Sequence, residues 1–215
     1  MEKRYESDMT RKEKRQNELK KLKSMTFKQK AAYIWEYYKG AFAGIIIACV
    51  IISIGVQMFQ NSQLKSLLSI AVVDSNYNHD EQVEALQNDF LAYAGTGDKH
   101  EVVDVDTSLL SGDDYNAVVK MTVVMGAGTA DMMFCGEETY KKYKQQEAFL
   151  SWKEILGDDY SKYEEYMTDD GRLDLEKCPN WEKYNMVYYS PVYAVVMSSS
   201  KNLENCIKFL EMMVQ

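Results

Sequence analysis

The sequence predicts one membrane-spanning helix followed by a compact, mainly parallel α/β domain, and three observations carry that reading. Residues 40–59 hold twenty consecutive positions without a charge, in a chain otherwise rich in charge. After them, short apolar runs alternate with segments of helical periodicity. The charges also divide unequally: residues 1–39 carry 12 Lys and Arg against 6 Asp and Glu, whereas residues 60–215 carry 13 against 27. Three regions follow: a basic tail with an amphipathic helix over 1–39, a transmembrane helix over 40–59, and an α/β domain over 60–215.

The first 25 residues, with KRQNELKKLK at their centre, are polar nearly all round. They read as a solvated tail or frayed helix whose charge favours a membrane surface. Next comes MTFKQKAAYIWEYYKG. At 100° per residue Phe27, Ala31, Ile34, Trp35 and Tyr38 form one stripe, bordered by Lys28 and Lys30, with Gln29 and Glu36 opposite. This is the composition of a membrane interface, where Trp and Tyr sit at headgroup level and lysines reach anionic lipid. A separate helix lying on the bilayer and an aromatic belt on one continuous helix are both compatible with it.

Twenty residues at ~1.5 Å of rise span roughly 30 Å, the hydrocarbon thickness of a bilayer. Lys28, Lys30 and Lys39 crowd the near side of the run, and Lys65 is the only Lys or Arg in the twenty residues beyond it. The positive-inside rule then places the N-terminus in the cytoplasm and the acidic domain outside a cell membrane. The 39 preceding residues and the bulky Val56, Met58 and Phe59 at the end of the run argue against cleavage as a signal peptide. Ile46-Ile47-Ala48-Cys49 resembles a bacterial lipobox, but Val50, Ile51 and Ile52 stand where a polar linker belongs. Cys49 therefore reads as a membrane-buried cysteine. The acidic balance of the domain excludes nucleic acid as a partner class.

In the domain, Leu67–Val73 is an apolar run ending in a polar turn, which marks a buried strand. Val83, Leu86, Phe90 and Tyr93 follow Asp80 at helical spacing and stop at Gly95. Glu101–Thr107 reads as a second strand, 113–125 as a helix with Val118, Val119 and Thr122 inside, and Ala130–Cys135 as a third strand. Such alternation predicts parallel strands in the order 2-1-3, covered by helices on both faces. Residues 137–190 show no sustained period. Val192–Met197 reads as a further strand, and 202–214 as a helix burying Leu203, Cys206, Ile207, Leu210 and Met213.

The stretch GAGTADMMFCGEETYKKYKQQEAFLSW resembles a segment of extracellular solute-binding proteins, in which a small-residue turn and an Asp open a strand and a Tyr-rich helix follows. Met197–Glu204 with Ile207-Lys208-Phe209-Leu210 is similar to the late strand and helix of the same proteins. The whole arrangement looks like single-pass membrane proteins of Gram-positive bacteria. The resemblance implies a domain like one lobe of a periplasmic-binding-protein-like fold. Those proteins close two lobes on a ligand, and residues 137–190 are too few for a second lobe, so one wall of the cleft would be missing.

In open α/β sheets ligands lie beyond the carboxyl ends of parallel strands. That rule selects Asp74 and Tyr77, Asp106, and Gly136 and Glu137, with Tyr115 on the helix after the second strand. Carboxylates and tyrosines suit a sugar, an amine or a cation, and the same residue types serve as turns and caps. No catalytic residue is assigned: Gly126-Ala127-Gly128 follows a helix and precedes a strand, the reverse of a phosphate-binding turn, and no G-x-S-x-G or H-E-x-x-H is present. His79 and His100 lack the spacing of a metal pair, and no cofactor is expected. Asp169–Asp174 has its Gly too early for a calcium loop and reads as a turn. Cys135 and Cys206 occupy core positions, Cys178 before Pro179 is the expected free thiol, and three cysteines give no disulfide framework. The function expected is non-enzymatic docking onto another envelope protein, with the lipid bilayer as second partner. The alternative is a ligand-binding or sensing module that serves a transporter.

Overall fold

The computed structural model describes residues 10–76 and 78–215, apart from the side chains of Glu18, Ile34 and Tyr37. It divides into two compact units, Met1–Ser62 and Gln63–Gln215.

In the first unit, α1 (Arg11–Ser24) starts from a capping box: Thr10 Oγ1 accepts from the Glu13 amide, and the Glu13 carboxylate accepts from the Thr10 amide at 2.9 Å. After a two-residue break, α2 (Phe27–Ser62) runs for 36 residues without interruption. The aromatic segment and the charge-free segment are thus one continuous helix. Its part from Tyr38 to Ser62 is long and apolar enough to cross a membrane, with mean hydropathy 2.4.

The second unit is a mixed sheet in the order β2-β1-β3-β6-β4. The first three strands are β1 (Lys65–Val73), β2 (Glu101–Leu109) and β3 (Met132–Cys135), with β1 parallel to both others. The linking helices α3 (Asp80–Ala94) and α4 (Tyr115–Ala127) supply the crossovers that parallel pairing requires. The expected order 2-1-3 is therefore present. β6 (Tyr193–Met197) joins β3 antiparallel, with Cys135 opposite Tyr193. Its direction has a geometric cause: Ser75, just past the end of β1, bridges Val187, so the chain re-enters the sheet at the carboxyl end of the parallel strands and must run back. β4 (Phe149–Leu150) and β5 (Leu173–Asp174) also pair with β6.

Strand alternation splits the core into two layers. Leu68, Ile70, Val72, Met132, Phe134, Ala194 and Val196 face one layer, which holds Leu86 and Phe90 of α3 and Phe209, Leu210 and Met213 of α8 (Leu203–Val214). Ala71, Val73, Met133, Cys135, Val195 and Met197 face the other, with Met121 and Val124 of α4 and Tyr140 and Tyr143 of α5 (Glu137–Lys144). Residues 137–190 build no second lobe. Trp152 at the start of α6 (Trp152–Leu156) and Trp181 and Tyr184 of α7 (Trp181–Tyr184) enter the first layer, and Trp152 Nε1 donates to Ala194 O at 3.0 Å.

The buried faces of two helices need correction. The inner face of α4 is Ala117, Met121 and Val124, while Val118, Val119 and Thr122 are exposed. In α8, Leu203 and Ile207 are only half-buried, and Phe209 and Met212 take up the core positions. Cys178 is as buried as Cys135 and Cys206; all three are free thiols, each pushed up to about 12 by burial.

Candidate functional site

The carboxyl ends of β1 and β3 open into a cleft of about 320 Å³ whose lining includes Asp74, Ser111, Gly136, Glu137, Tyr188 and Tyr189. Asp74 ends β1 in the left-handed region, at φ 50°. Its amide donates to Leu109 O at 2.9 Å and its Oδ1 accepts from the Ser111 amide at 3.0 Å, so the residue ties β1 to the loop after β2. Gly136 caps α5, and a Cβ there would lie 3.2 Å from the Tyr189 ring. That ring stands between the two strand ends: its hydroxyl donates to Val73 O at 2.9 Å and lies 3.4 Å from Phe134 O. Burial pushes the Tyr189 phenol well above its usual range. Tyr188 is 75 % exposed and meets Tyr189 edge-on, with ring centres 6.1 Å apart.

Glu137 is already neutralised. Arg172 Nη1 donates to its Oε2 and Lys141 Nζ lies 3.0 Å from its Oε1, and the arginine first and the lysine second hold the carboxyl down at about 2. Arg172, whose side chain is 11 % exposed, also pairs with Asp170 at 2.7 Å. The structure thus brings Asp74, Gly136 and Glu137 to one cleft. Asp106 lies within β2 and binds its own neighbours, accepting from the Ser108 amide at 2.9 Å with Lys120 Nζ 3.7 Å away. Tyr115 opens α4, and neither residue lines the cleft. Tyr77 falls outside the described residues.

A second surface is apolar. Tyr115, Val118, Val119 and Val123 recur at helical spacing along the outer side of α4, exposed by 81, 38, 41 and 55 %, and Leu110 just before the helix is 57 % exposed. Thr122 lies within the stripe, but its hydroxyl and the Lys120 ammonium are tied to backbone carbonyls. Thr122 returns its hydroxyl to Val118 O at 2.8 Å, and Lys120, the one charged residue of α4, donates to Ser108 O at 3.2 Å. α4 is therefore apolar on two faces, of which one is in the core. Sequence reasoning assigned Val118 and Val119 to the core and so missed this surface; the excess of apolar positions over the number one buried face needs was the available signal. The two tyrosines of the cleft, Tyr188 and Tyr189, were missed for lack of any local period.

Of the residues expected at a membrane interface, Phe27, Trp35 and Tyr38 are exposed on α2 by 88, 68 and 45 %. Lys28 is exposed and Lys30 half-buried beside them, and the Ile34 side chain is not among those described. No group of three or more His, Cys, Asp or Glu is placed to hold a metal ion among the described residues. Compared with known proteins, the chain matches no family model, no curated protein and no solved structure.

Proposed function

We propose that this chain is a single-pass, non-enzymatic interaction protein of the bacterial cell envelope, cytoplasmic at its basic N-terminus, which presents its acidic α/β unit outside and docks a partner protein through the outer face of α4. The exposed stripe of Tyr115, Val118, Val119 and Val123 carries this reading. A contiguous apolar helix face in water is unfavourable unless something covers it, and aromatic and aliphatic anchors at i, i+3, i+4 and i+8 form the pattern by which helices seat in partner grooves. The likeness to a solute-binding lobe enters the proposal as the origin of the domain, without the capture of a solute.

The cleft at Asp74 supports a second reading, a weak binding site for a small polar ligand. Against it, Glu137 is spent on Arg172 and Lys141, and Asp74 on the Ser111 amide. An open cleft of this size also leaves much of a ligand in water.

A photo-reactive amino acid placed at Val119 or Val123 of the full chain in living cells tests the docking reading. Crosslinks to one protein species from both positions, and none from the buried Met121, are expected. Absence of crosslinks at both, together with a micromolar ligand whose affinity falls on Asp74→Ala, overturns it in favour of the binding module. Protease treatment of intact cells tests the topology: loss of residues 63–215 and survival of an anchored fragment are expected.

A further inference from the structure

The continuity of α2 has a consequence that a separate juxtamembrane helix would not. A hydrocarbon core of ~30 Å accommodates residues 40–59, and the headgroup layer adds only about 6 Å on each side. The thirteen residues from 27 to 39 extend the helix by about 20 Å. Tyr38 falls within the headgroup layer and Trp35 at its outer edge, but Phe27, 88 % exposed, and the exposed Ala31 stand beyond it on an unbroken helix.

We propose that α2 pairs in parallel with α2 of a second copy of this chain, through the stripe of Phe27, Ala31, Ile34 and Tyr38 and its continuation into the span through Ala41 and Ala48. With Ile45 between the two alanines of the span, these positions alternate spacings of four and three, the heptad pattern of a left-handed coiled pair, and the same spacing continues through Ile52 and Gly55 to Phe59. Two copies inserted with the same topology carry the stripe at the same height, in register and parallel. Gln29 and Glu36 fall on the far side of each helix, so pairing buries no carboxylate. Lys30 flanks the stripe five positions before Trp35, the offset at which flanking residues of parallel helices meet, which sets an ammonium against the indole of the second copy. Within the span Ala41 and Ala48 let the backbones approach. This pairing concerns α2 alone and stands or falls independently of docking through α4.

Oxidative crosslinking of the full chain in membranes tests it. Cys49→Ser removes the one thiol of the span, the other three being buried in the second unit, and single cysteines are then introduced as Ala31→Cys, Ala41→Cys, Gln29→Cys and Glu36→Cys. A species of twice the 24.8 kDa chain mass is expected from Ala31→Cys and Ala41→Cys, at several-fold higher yield than from Gln29→Cys or Glu36→Cys. Phe27→Glu should lower the Ala41→Cys yield several-fold. Monomer from both stripe positions, or equal yield from all four, overturns the proposal. So does strong quenching of a Phe27→Trp indole by quencher-bearing lipids in a chain that also carries Trp35→Phe, which would show the bilayer surface covering this segment.

Discussion

Arg172 holds its guanidinium 3.9 Å from the ring centre of Tyr193, and the ring of Tyr140 lies at 4.3 Å from the same cation. The arginine thereby joins α5, the loop before β5 and the start of β6, with Glu137 and Asp170 as its ionic partners. Flat, weakly hydrated guanidinium suits a place among aromatic rings in a way that an ammonium does not.

Arg172→Gln should destabilise the second unit by about 2 kcal/mol, since it removes a largely buried cation from between two aromatic rings and takes from Glu137 and Asp170 the cation that they share. Arg172→Lys should lie between this variant and the wild type, because it keeps the charge and loses the fork. Denaturant unfolding of the full chain in detergent, followed by tryptophan fluorescence, reads both values.

The same cluster predicts the acid limb of stability. Arg172 and Lys141 lower Glu137 from its ordinary 4.5 to about 2. Burial pushes Asp170 up, but hydrogen bonds from Thr168, Arg172 and Lys144 outweigh it and bring the carboxyl from 3.8 to about 2. A carboxylate whose folded pKa is depressed binds a proton more readily in the unfolded chain. Its contribution is therefore complete above pH about 4.5 and is lost as pH falls towards 2. Melting temperature should decline through that window, and Glu137→Gln should flatten the decline while lowering stability at neutral pH.

The elements that could be read from sequence are those whose burial leaves a local pattern, a period of one buried helix face or an unbroken apolar run. α3 and α8 repeat at 3.6, so Leu86 and Phe90, or Leu210 and Met213, announce themselves, while β1, β3 and β6 are short continuous apolar runs that are buried on both faces. α4 was legible as a helix and illegible as to its face: with Ala117, Val118, Val119, Met121, Val123 and Val124 all apolar, periodicity cannot choose between two stripes on nearly opposite sides of the helix. Residues 137–190 form short elements fixed by tertiary contacts, such as Trp152 against β6, and no local pattern encodes them. The ion pair of Arg172 and Glu137 joins residues 35 positions apart and has no sequence signature.

Asp131 gives a test of the opposite end of the sheet. It is 6 % exposed and accepts from the Ser69 amide at 3.0 Å, Ser200 Oγ at 2.8 Å and Asn202 Nδ2 at 3.0 Å, which ties β1 and β3 to the turn before α8. Asp131→Ala leaves these donors without an acceptor and should cost about 3 kcal/mol. Asp131→Asn retains one acceptor oxygen and should cost less. Amide hydrogen exchange should show the first turn of α8 and the start of β1 losing protection together in Asp131→Ala; unchanged protection would mean that the carboxylate is not what joins them.

The two faces of α4 can be separated by one charge placed two residues apart. Met121 is 1 % exposed, and Met121→Asp puts an unpaired carboxylate into the layer formed with Val73 and Met133, so a loss of about 4 kcal/mol or failure to fold is expected. Val119 is 41 % exposed, and Val119→Asp keeps its charge in water, so stability should change by no more than about 1 kcal/mol, most of it helix propensity. If the outer stripe docks a partner, Val119→Asp should nevertheless abolish the photo-crosslink from Val123, because a carboxylate desolvated in an apolar interface has nothing to pair with. A folded Val119→Asp chain that still crosslinks at full yield would separate the exposed stripe from the interaction, and a Val119→Asp chain that unfolds would place the stripe in the core after all.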